Sequence, residues 1–581
     1  MKTKLSHAIA VLLSMLMILS LAACGNSGTN TKNIESADKS GDTTTAEAAT
    51  EEDVFDARKI CEGVTLTVAV ASDDLVIDWD TTLSTQMVEE ALGVNLEFEV
   101  YASSDYDTKI NVMVQGGDKL PDIILSTKAS SGIKNYTSWA AADAIIPLNE
   151  YYEDENYAHY INLACDELGI DLGSYLKDAD GKIWGTPKYN VTPPNEIIYK
   201  LVINEKYLDM LGLDKPVTTE DFYNVCKAFV EAGDLNGNGE DDEVPFAGYN
   251  NLRWFQFMMS SYAYAFDNYY MDVVDGELSF SFTSDEWKEG LKYIKRFFDD
   301  GIFNTTMLTQ DDTSYRAIAK DNEAPHLCDL TYLAQMSDNT VRLEYGYVPA
   351  LESPVKEAEC FYQPILPYVG AVITADCENP DAAFLVLDYM CSEEVSITNR
   401  YGERGVDWDY WDEVDESKLP EGMTKADFTS YYPDLYEEPY IMMYGLVNGA
   451  ASAPQNAGYS QAGTLILPDK MYWGRALLAN TDDVDLAANA DVYIKYNTNY
   501  WIWREYIPDE TIDYLPMTSD ESDAISDIWS TLNSYITESI GAFLTGEWDI
   551  DSYWDTYLAE IEKIGAAELL ETVQTVYDRT K

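Results

Sequence analysis

The sequence predicts an α/β protein built on an open sheet. Two observations carry this: strand and helix patterns alternate through residues 64–125, and about 530 residues follow the N-terminal segment, enough for two domains or one bilobal body. Val64 to Ala71 (VTLTVAVA) alternates as a strand should. Thr85 to Leu92 has helical spacing, and Gly93 stops it before a second strand, Val94 to Tyr101. Ile110 to Val114 continues as a helix, and Gly116-Gly117-Asp118-Lys119-Leu120-Pro121 turns the chain into a buried strand, Asp122-Ile123-Ile124-Leu125. Further on, Thr218 caps a helix running to Phe229, with Asp221 three residues later as the partner of a capping box. Gly370 to Ile373 reads as another strand, and Pro380 opens a helix to Met390.

The N-terminus reads as a targeting segment. Lys2 and Lys4 precede an apolar run, Ala8 to Ala22, too short to span a bilayer comfortably but suited to a signal peptide over residues 1–23. It ends in Leu21-Ala22-Ala23-Cys24, which resembles a bacterial lipobox and makes Cys24 the expected site of lipidation. Residues 24–53 are rich in Asn, Thr, Ser, Gly, Ala and acids, with no aromatic residue, and cannot bury enough surface to offset their ordering entropy. They are expected to form a disordered tether of roughly 30 Å. The expected location is thus the extracytoplasmic face of the cell membrane, held there by lipid.

Composition narrows the partners. The formal net charge is -66, with 103 Asp and Glu against 37 Lys and Arg, so nucleic acid and anionic headgroups are repelled and a neutral or cationic ligand is expected. The 43 Tyr, 13 Trp and 17 Phe offer flat apolar faces with polar handles, the surface that a sugar ring stacks on. Beyond Cys24, the cysteines (61, 165, 226, 328, 360, 377 and 391) are odd in number, widely spaced and without C-x-x-C, which favours buried free thiols over a zinc site or a disulfide framework. No G-x-S-x-G, Walker A or H-E-x-x-H motif occurs, and binding without catalysis is expected. Paired carboxylates, all that a glycosidase needs, arise by coincidence among so many acids.

One loop carries sharper chemistry. Asp234-Leu235-Asn236-Gly237-Asn238-Gly239-Glu240-Asp241-Asp242 fits the first nine positions of an EF-hand-type calcium loop. Asp234, Asn236 and Asn238 would converge on the ion, Gly239 permits the turn, Glu240 offers its carbonyl and Asp242 ligates directly or through water. Pro245 stands at the twelfth position, where a bidentate carboxylate is usual, and Glu243 is the expected substitute. Calcium bound here would be a structural staple.

Several segments resemble, in order, the family 1 extracellular solute-binding proteins, the carbohydrate-binding class of ABC-transporter receptors, and in particular its long lipoprotein branch. They include "GDKLPDII" ending at Ile124, Asp180 to Pro187 (DGKIWGTP), Ile203 to Leu213, Trp287 to Ile302, Asn379 to Met390, Arg400 to Trp408 and the C-terminal helices from Phe543. Asn204-Glu205 departs from that family's usual basic pair. The resemblance implies a two-lobe periplasmic-binding-protein fold of type II with a hinge and an interlobe cleft, acting as a monomer with ABC permease subunits as partners. It implies lobe one over 54–188 and 368–410, and lobe two over 189–367 and 411–581. Cleft residues in that family follow the first strand, the crossovers and aromatic loops, which points to Asp78, Trp79, Trp254, Asp329, Trp408, Trp411 and Trp473. An oligosaccharide is the expected ligand; a peptide or other polar solute, or a surface glycan hydrolase, are the alternatives.

Overall fold

The structure is a computed structural model that describes residues 55–581 except 129–131, 267–268, 321–325, 331–338, 420, 431, 433, 445–453 and 479–483. The signal segment, the tether and Cys24 lie outside the described residues.

Two sheets with separate hydrophobic cores make the two lobes. The first sheet has six strands, in the order Leu465–Leu467, Thr186–Asn190, Tyr368–Ile373, Ile123–Leu125, Thr65–Ala71 and Asn95–Tyr101. Thr65–Ala71 runs parallel to both Asn95–Tyr101 and Ile123–Leu125, whereas Tyr368–Ile373 is antiparallel to both of its neighbours. Strands 65–71 and 123–125 are nearly all buried because helices cover both faces, as parallel pairing requires. The expected elements form where their signals lie. Thr82 caps the helix Leu83–Leu92 by accepting the Thr85 N–H at 3.1 Å, and Gly93 ends it in the left-handed region that a side chain would strain.

The second sheet has four strands, in the order Tyr345–Tyr347, Leu201–Asn204, His326–Leu330 and Val244–Phe246. Its core gathers Phe222, Trp254, Phe255, Trp287 and Phe297, and the C-terminal helices bring Ile525, Leu532, Trp554 and Leu569 onto it. The helix Thr219–Glu231 carries the expected capping box, Thr218 and Asp221 each bonding the other's backbone N–H. Pro380 is the first residue of the helix Pro380–Met390.

The chain leaves the first sheet after Asn190 and returns to it at Tyr368. The expected division departs from the structure further on. The expectation that 411–581 belongs whole to the second lobe fails at Leu465–Leu467, which pairs in parallel with Thr186–Asn190 and forms the edge of the first sheet. A third sheet, ordered Trp408–Tyr410, Ile441–Met443, Arg475–Leu478 and Phe428–Ser430, has no sequence forecast. Strands of three or four residues are too short to show a period, so only tertiary pairing assigns them. The seven described cysteines are free thiols, five of them buried. Among the described residues no helix is long and apolar enough to cross a membrane.

Candidate functional site

A cavity of about 830 Å³ opens between the lobes. Lobe one supplies Lys134, Tyr136 and Thr137, just beyond the carboxyl end of the strand Ile123–Leu125, together with the turn residues Lys177 and Asp178. Ligands of open α/β sheets sit at that end of the strands. Lobe two supplies three walls. The first is Asn250 to Arg253 with Gln256, the second is Phe266, Tyr269 and Tyr270, and the third is the segment Tyr514 to Thr518 running into the helix Ser519–Thr545. That helix turns one face to the cavity through Ser522, Trp529, Asn533 and Thr537, spaced for a shared face.

Local backbone explains how these side chains are held. Leu252 (φ 59), Tyr269 (φ 64) and Tyr270 (φ 53) adopt left-handed conformations that non-glycine residues avoid at a cost of about 1–3 kcal/mol each. Strain of this kind persists where surrounding structure over-determines it, and three of the seven such non-glycine residues among the described residues lie on this cavity. Asn251 accepts the Arg253 N–H at 3.1 Å, starting the helix Arg253–Ser260. Arg253 then donates to Gln256 Oε1 at 2.9 Å, and Gln256 Nε2 reaches the Tyr270 hydroxyl at 3.2 Å. Trp529 meets the Tyr269 ring edge to face, with centroids 4.9 Å apart, and Phe266 packs on Phe361 at 4.6 Å.

The electrostatics are those of a neutral hydrogen-bonding surface with added cations. Burial pushes the Tyr136 hydroxyl up, and the nearby Asp178 adds to this; burial does the same for Tyr514, beside Tyr136 and Asp178. Both phenols stay protonated at neutral pH; the Tyr136 hydroxyl can donate to a ligand, whereas the Tyr514 proton is already given to a backbone carbonyl. Asp178 is engaged: Oδ1 accepts the N–H groups of Asp180 and Lys182 at 2.9 Å each, and Oδ2 accepts Trp184 Nε1–H at 2.6 Å. The lobes touch where the Tyr514 hydroxyl donates to the Lys177 carbonyl at 3.1 Å.

None of the seven residues expected in the cleft is among the described residues that line it. Asp78 is exposed and caps the turn Trp79–Thr81, accepting from Asp80 N and Thr81 Oγ1. Trp79 is buried and stacks on Tyr459 at 5.6 Å. Trp254 packs against Phe255, Phe298 and Phe303 in the second core. Asp329 is buried in the second sheet, where it accepts from the Tyr315 hydroxyl at 2.6 Å and burial pushes its carboxyl up to about 7. Trp408 donates to the Gly402 carbonyl at 2.8 Å from a fully buried site, while Trp411 lies half-buried under the Lys425 ammonium, 4.5 Å from its ring centre. Trp473 is enclosed by Tyr432, Tyr472, Tyr500 and Trp501. The cavity tyrosines have no local signature among 43; the legible signal was the T-x-x-E box of Thr518 and Glu521, which begins the lining helix.

In the acidic loop, Asp234 accepts the Gly239 N–H at 2.9 Å, Asn236 that of Asn238 at 2.9 Å, and Asn238 that of Glu240 at 2.7 Å. Asn238 Nδ2 donates to Asp242 Oδ2 at 3.1 Å, and Asp242 Oδ1 is buried with no hydrogen-bond partner among the described residues. Glu243 closes the loop by accepting the Leu235 N–H at 2.6 Å. Among the described residues no three carboxylate, thiol or imidazole side chains gather as a metal cluster. The expected donor set differs in kind, since it takes half its oxygens from two amides and a carbonyl. The orphaned Asp242 oxygen and the side-chain oxygens of Asp234, Asn236 and Asn238 are of the donor type that a hard cation takes.

Comparison with known proteins agrees with this architecture. The fructooligosaccharide ABC transporter substrate-binding protein FusA of Streptococcus pneumoniae is 25% identical over 517 residues, spanning 86% of this chain and 88% of the relative. Among solved structures, the FusA EF-hand mutant in complex with fructo-nystose superposes with a TM-score of 0.68 at 23% identity, covering 89% of this chain and 99% of that one. An extracellular solute-binding protein from Bifidobacterium longum subsp. infantis gives 0.71 at 18% identity, covering 89% and 98%. At these identities the structural matches establish the two-lobe, type II fold. The family model described as bacterial extracellular solute-binding protein matches residues 83–397, more than half of the chain. The chain belongs to the bacterial extracellular solute-binding protein family.

Proposed function

We propose that this protein is the substrate-binding component of an ABC importer and captures an oligosaccharide in the interlobe cleft. The observation that carries the reading is the cleft itself. It combines aromatic rings from both lobes (Tyr136 from lobe one, Tyr269 and Trp529 from lobe two) with the neutral amides of Asn250, Asn251 and Asn533. A sugar needs both: apolar C–H faces to stack, and hydroxyls to bond. The relationship to FusA, a fructooligosaccharide receptor, supports the substrate class. Reversible binding is the chemistry, because the described lining offers a single carboxylate, Asp178, already engaged by three donors, whereas glycoside hydrolysis uses two. A peptide ligand is less well served for the same reason: no uncommitted carboxylate in the described lining meets its amino terminus.

In the same reading Cys24 carries the lipid, the body works on the extracytoplasmic face, and closed, loaded protein is presented to permease subunits. The loop holds calcium through Asp234, Asn236, Asn238, the Glu240 carbonyl and Asp242, with Glu243 closing it. Calcium supplies a fixed positive centre that cross-links the loop, and no step of glycan binding runs through it.

Titration calorimetry of the purified protein against oligosaccharides tests the reading. Binding by at least one glycan class is expected, with Trp529→Ala weakening it about tenfold, roughly 1.4 kcal/mol. Binding that Trp529→Ala and Tyr136→Ala both leave unchanged would move the site elsewhere.

A further inference from the structure

We infer that lobe one carries a second binding site, separate from the cleft, for a small organic cation: an alkyl- or arylammonium with an apolar body. This goes beyond the glycan reading and stands or falls independently of it. The site is a cavity of about 490 Å³ that shares no lining residue with the cleft. Such a volume suits a small molecule. It lies among the helix His159–Leu168, the turn from Tyr389 into the helix Glu393–Tyr401, the end of the strand Trp408–Tyr410, and residues 466–471. Leu168, Ile466 and Met471 give it an apolar lining. Tyr160 and Tyr389, both half-buried, line it too, with ring centroids 5.3 Å apart and planes at 81°. A tyrosine π face attracts an ammonium group.

The polar groups set the charge that the cavity takes. Glu167, Glu393 and Glu394 line it, and no lysine or arginine does. The bases beside it are oversubscribed. Lys470 is shared by Glu167 and Glu393, and Arg404 by Glu394, Asp409 and Glu413, so five carboxylates draw on two cations. None of the undescribed segments within 55–581 contains a lysine or arginine. Glu393 is committed, accepting from the Tyr410 and Tyr440 hydroxyls at 2.8 and 2.7 Å and from Lys470 at 3.3 Å. Glu394 is the less committed: its Oε1 lies 3.5 Å from Arg404. Ser392 is the second, independent observation. It is 9% exposed and stands at the N-cap of the helix Glu393–Tyr401, yet its hydroxyl makes no cap bond and has no partner among the described residues. It lines the cavity instead. Buried hydroxyls are normally hydrogen-bonded, and an ammonium N–H donated to this oxygen would satisfy it. The chain uses the same chemistry nearby, with Lys470 4.4 Å from the Tyr440 ring centre and Arg404 4.7 Å from that of Tyr410. Among the described residues no lysine or arginine lies over Tyr160 or Tyr389 in this way. Nor do the described carboxylates gather as a metal cluster, and rings with an apolar lining offer a metal ion nothing.

The test is titration of the purified protein, followed by ligand-observed NMR, with cations each measured beside an uncharged isostere: phenethylammonium beside phenethyl alcohol, and hexylammonium beside hexanol. At least one cation is expected to bind tenfold or more tightly than its isostere. Tyr389→Leu, which keeps every charge, should weaken that binding at least tenfold, and Glu394→Gln severalfold. Trp529→Ala, in the cleft, should change it less than twofold. Should Tyr389→Leu misfold, the exposed Glu394→Gln and the small change Ser392→Ala decide in its place. Equal binding of the isosteres, or no binding of either cation at millimolar concentration, would overturn the inference. Full binding by Tyr389→Leu would also overturn it, by reducing the effect to diffuse attraction toward an acidic surface. Loss of binding in Trp529→Ala would do the same by placing the cation in the cleft, and the glycan reading would still stand.

Discussion

At the scale of single residues, burial decides what each acid or aromatic can do. Asp329 has one oxygen bonded by Tyr315 and its own neighbour's N–H, and the other without a partner among the described residues. Burial holds its carboxyl up at about 7, against about 3.9 in an unfolded chain. The folded state therefore keeps this proton to higher pH than the unfolded state does. Its contribution to stability is full below about pH 4 and is lost as pH rises through about 7. Asp329→Asn, which mimics the protonated form, should melt at a temperature that changes less between pH 4 and 8 than that of the parent protein. Superimposable profiles for the two proteins would show that another group governs this range. Trp473 and Trp529 make the same contrast among aromatics, the first enclosed by other rings and the second facing the cavity.

At the scale of elements, helix ends do double duty. Thr518 and Glu521 cap the helix Ser519–Thr545 reciprocally, at 2.9 and 3.1 Å, while Thr518 itself lines the cleft and Arg579 pins Glu521 at 2.6 Å. The cap thus fixes the position of Trp529 and Asn533 as well as the helix. The acidic loop joins the helix Thr219–Glu231 to the strand Val244–Phe246, both part of the second lobe's core. A cation there would tie two core elements, and none of the loop's residues is among the described residues that line the cleft. Calcium at a hundred times its dissociation constant would add about 2.7 kcal/mol to stability. Chelation should therefore lower the melting temperature by a few degrees and leave glycan affinity within twofold, and Asp234→Ala should abolish the response to calcium. A melt indifferent to both chelator and added calcium would remove the metal from this loop.

At the scale of the molecule, two cores with a cavity between them allow a hinge to close on ligand. The Tyr514 hydroxyl on the Lys177 carbonyl is a direct bond between the walls, and Tyr514→Phe deletes it while keeping the ring. The variant should favour the open arrangement, with a larger radius of gyration in ligand-free solution scattering and an apparent affinity reduced severalfold, because a smaller fraction of molecules is competent to bind. An unchanged radius and affinity would mean that this bond does not bias closure.

The fold class, the first sheet's early strands and helices, the Thr218 capping box, the family resemblance and the EF-hand-type pattern of residues 234–242 are legible along the chain. Each of these is written in residues close along the chain, where period, cap and spacing act locally. The cleft was not legible in that way. Trp79, Trp254, Trp408 and Trp473 were attractive as stacking faces, yet large flat side chains also fill wide cores, and each is enclosed by other residues. Only the tertiary structure brought Tyr136, Arg253, Tyr269, Tyr514 and Trp529 together from segments hundreds of residues apart, and placed Leu465–Leu467 in the first sheet. The physical reason is that a binding surface between lobes is defined by which walls face one another, and that information resides in packing rather than in any local run of residues.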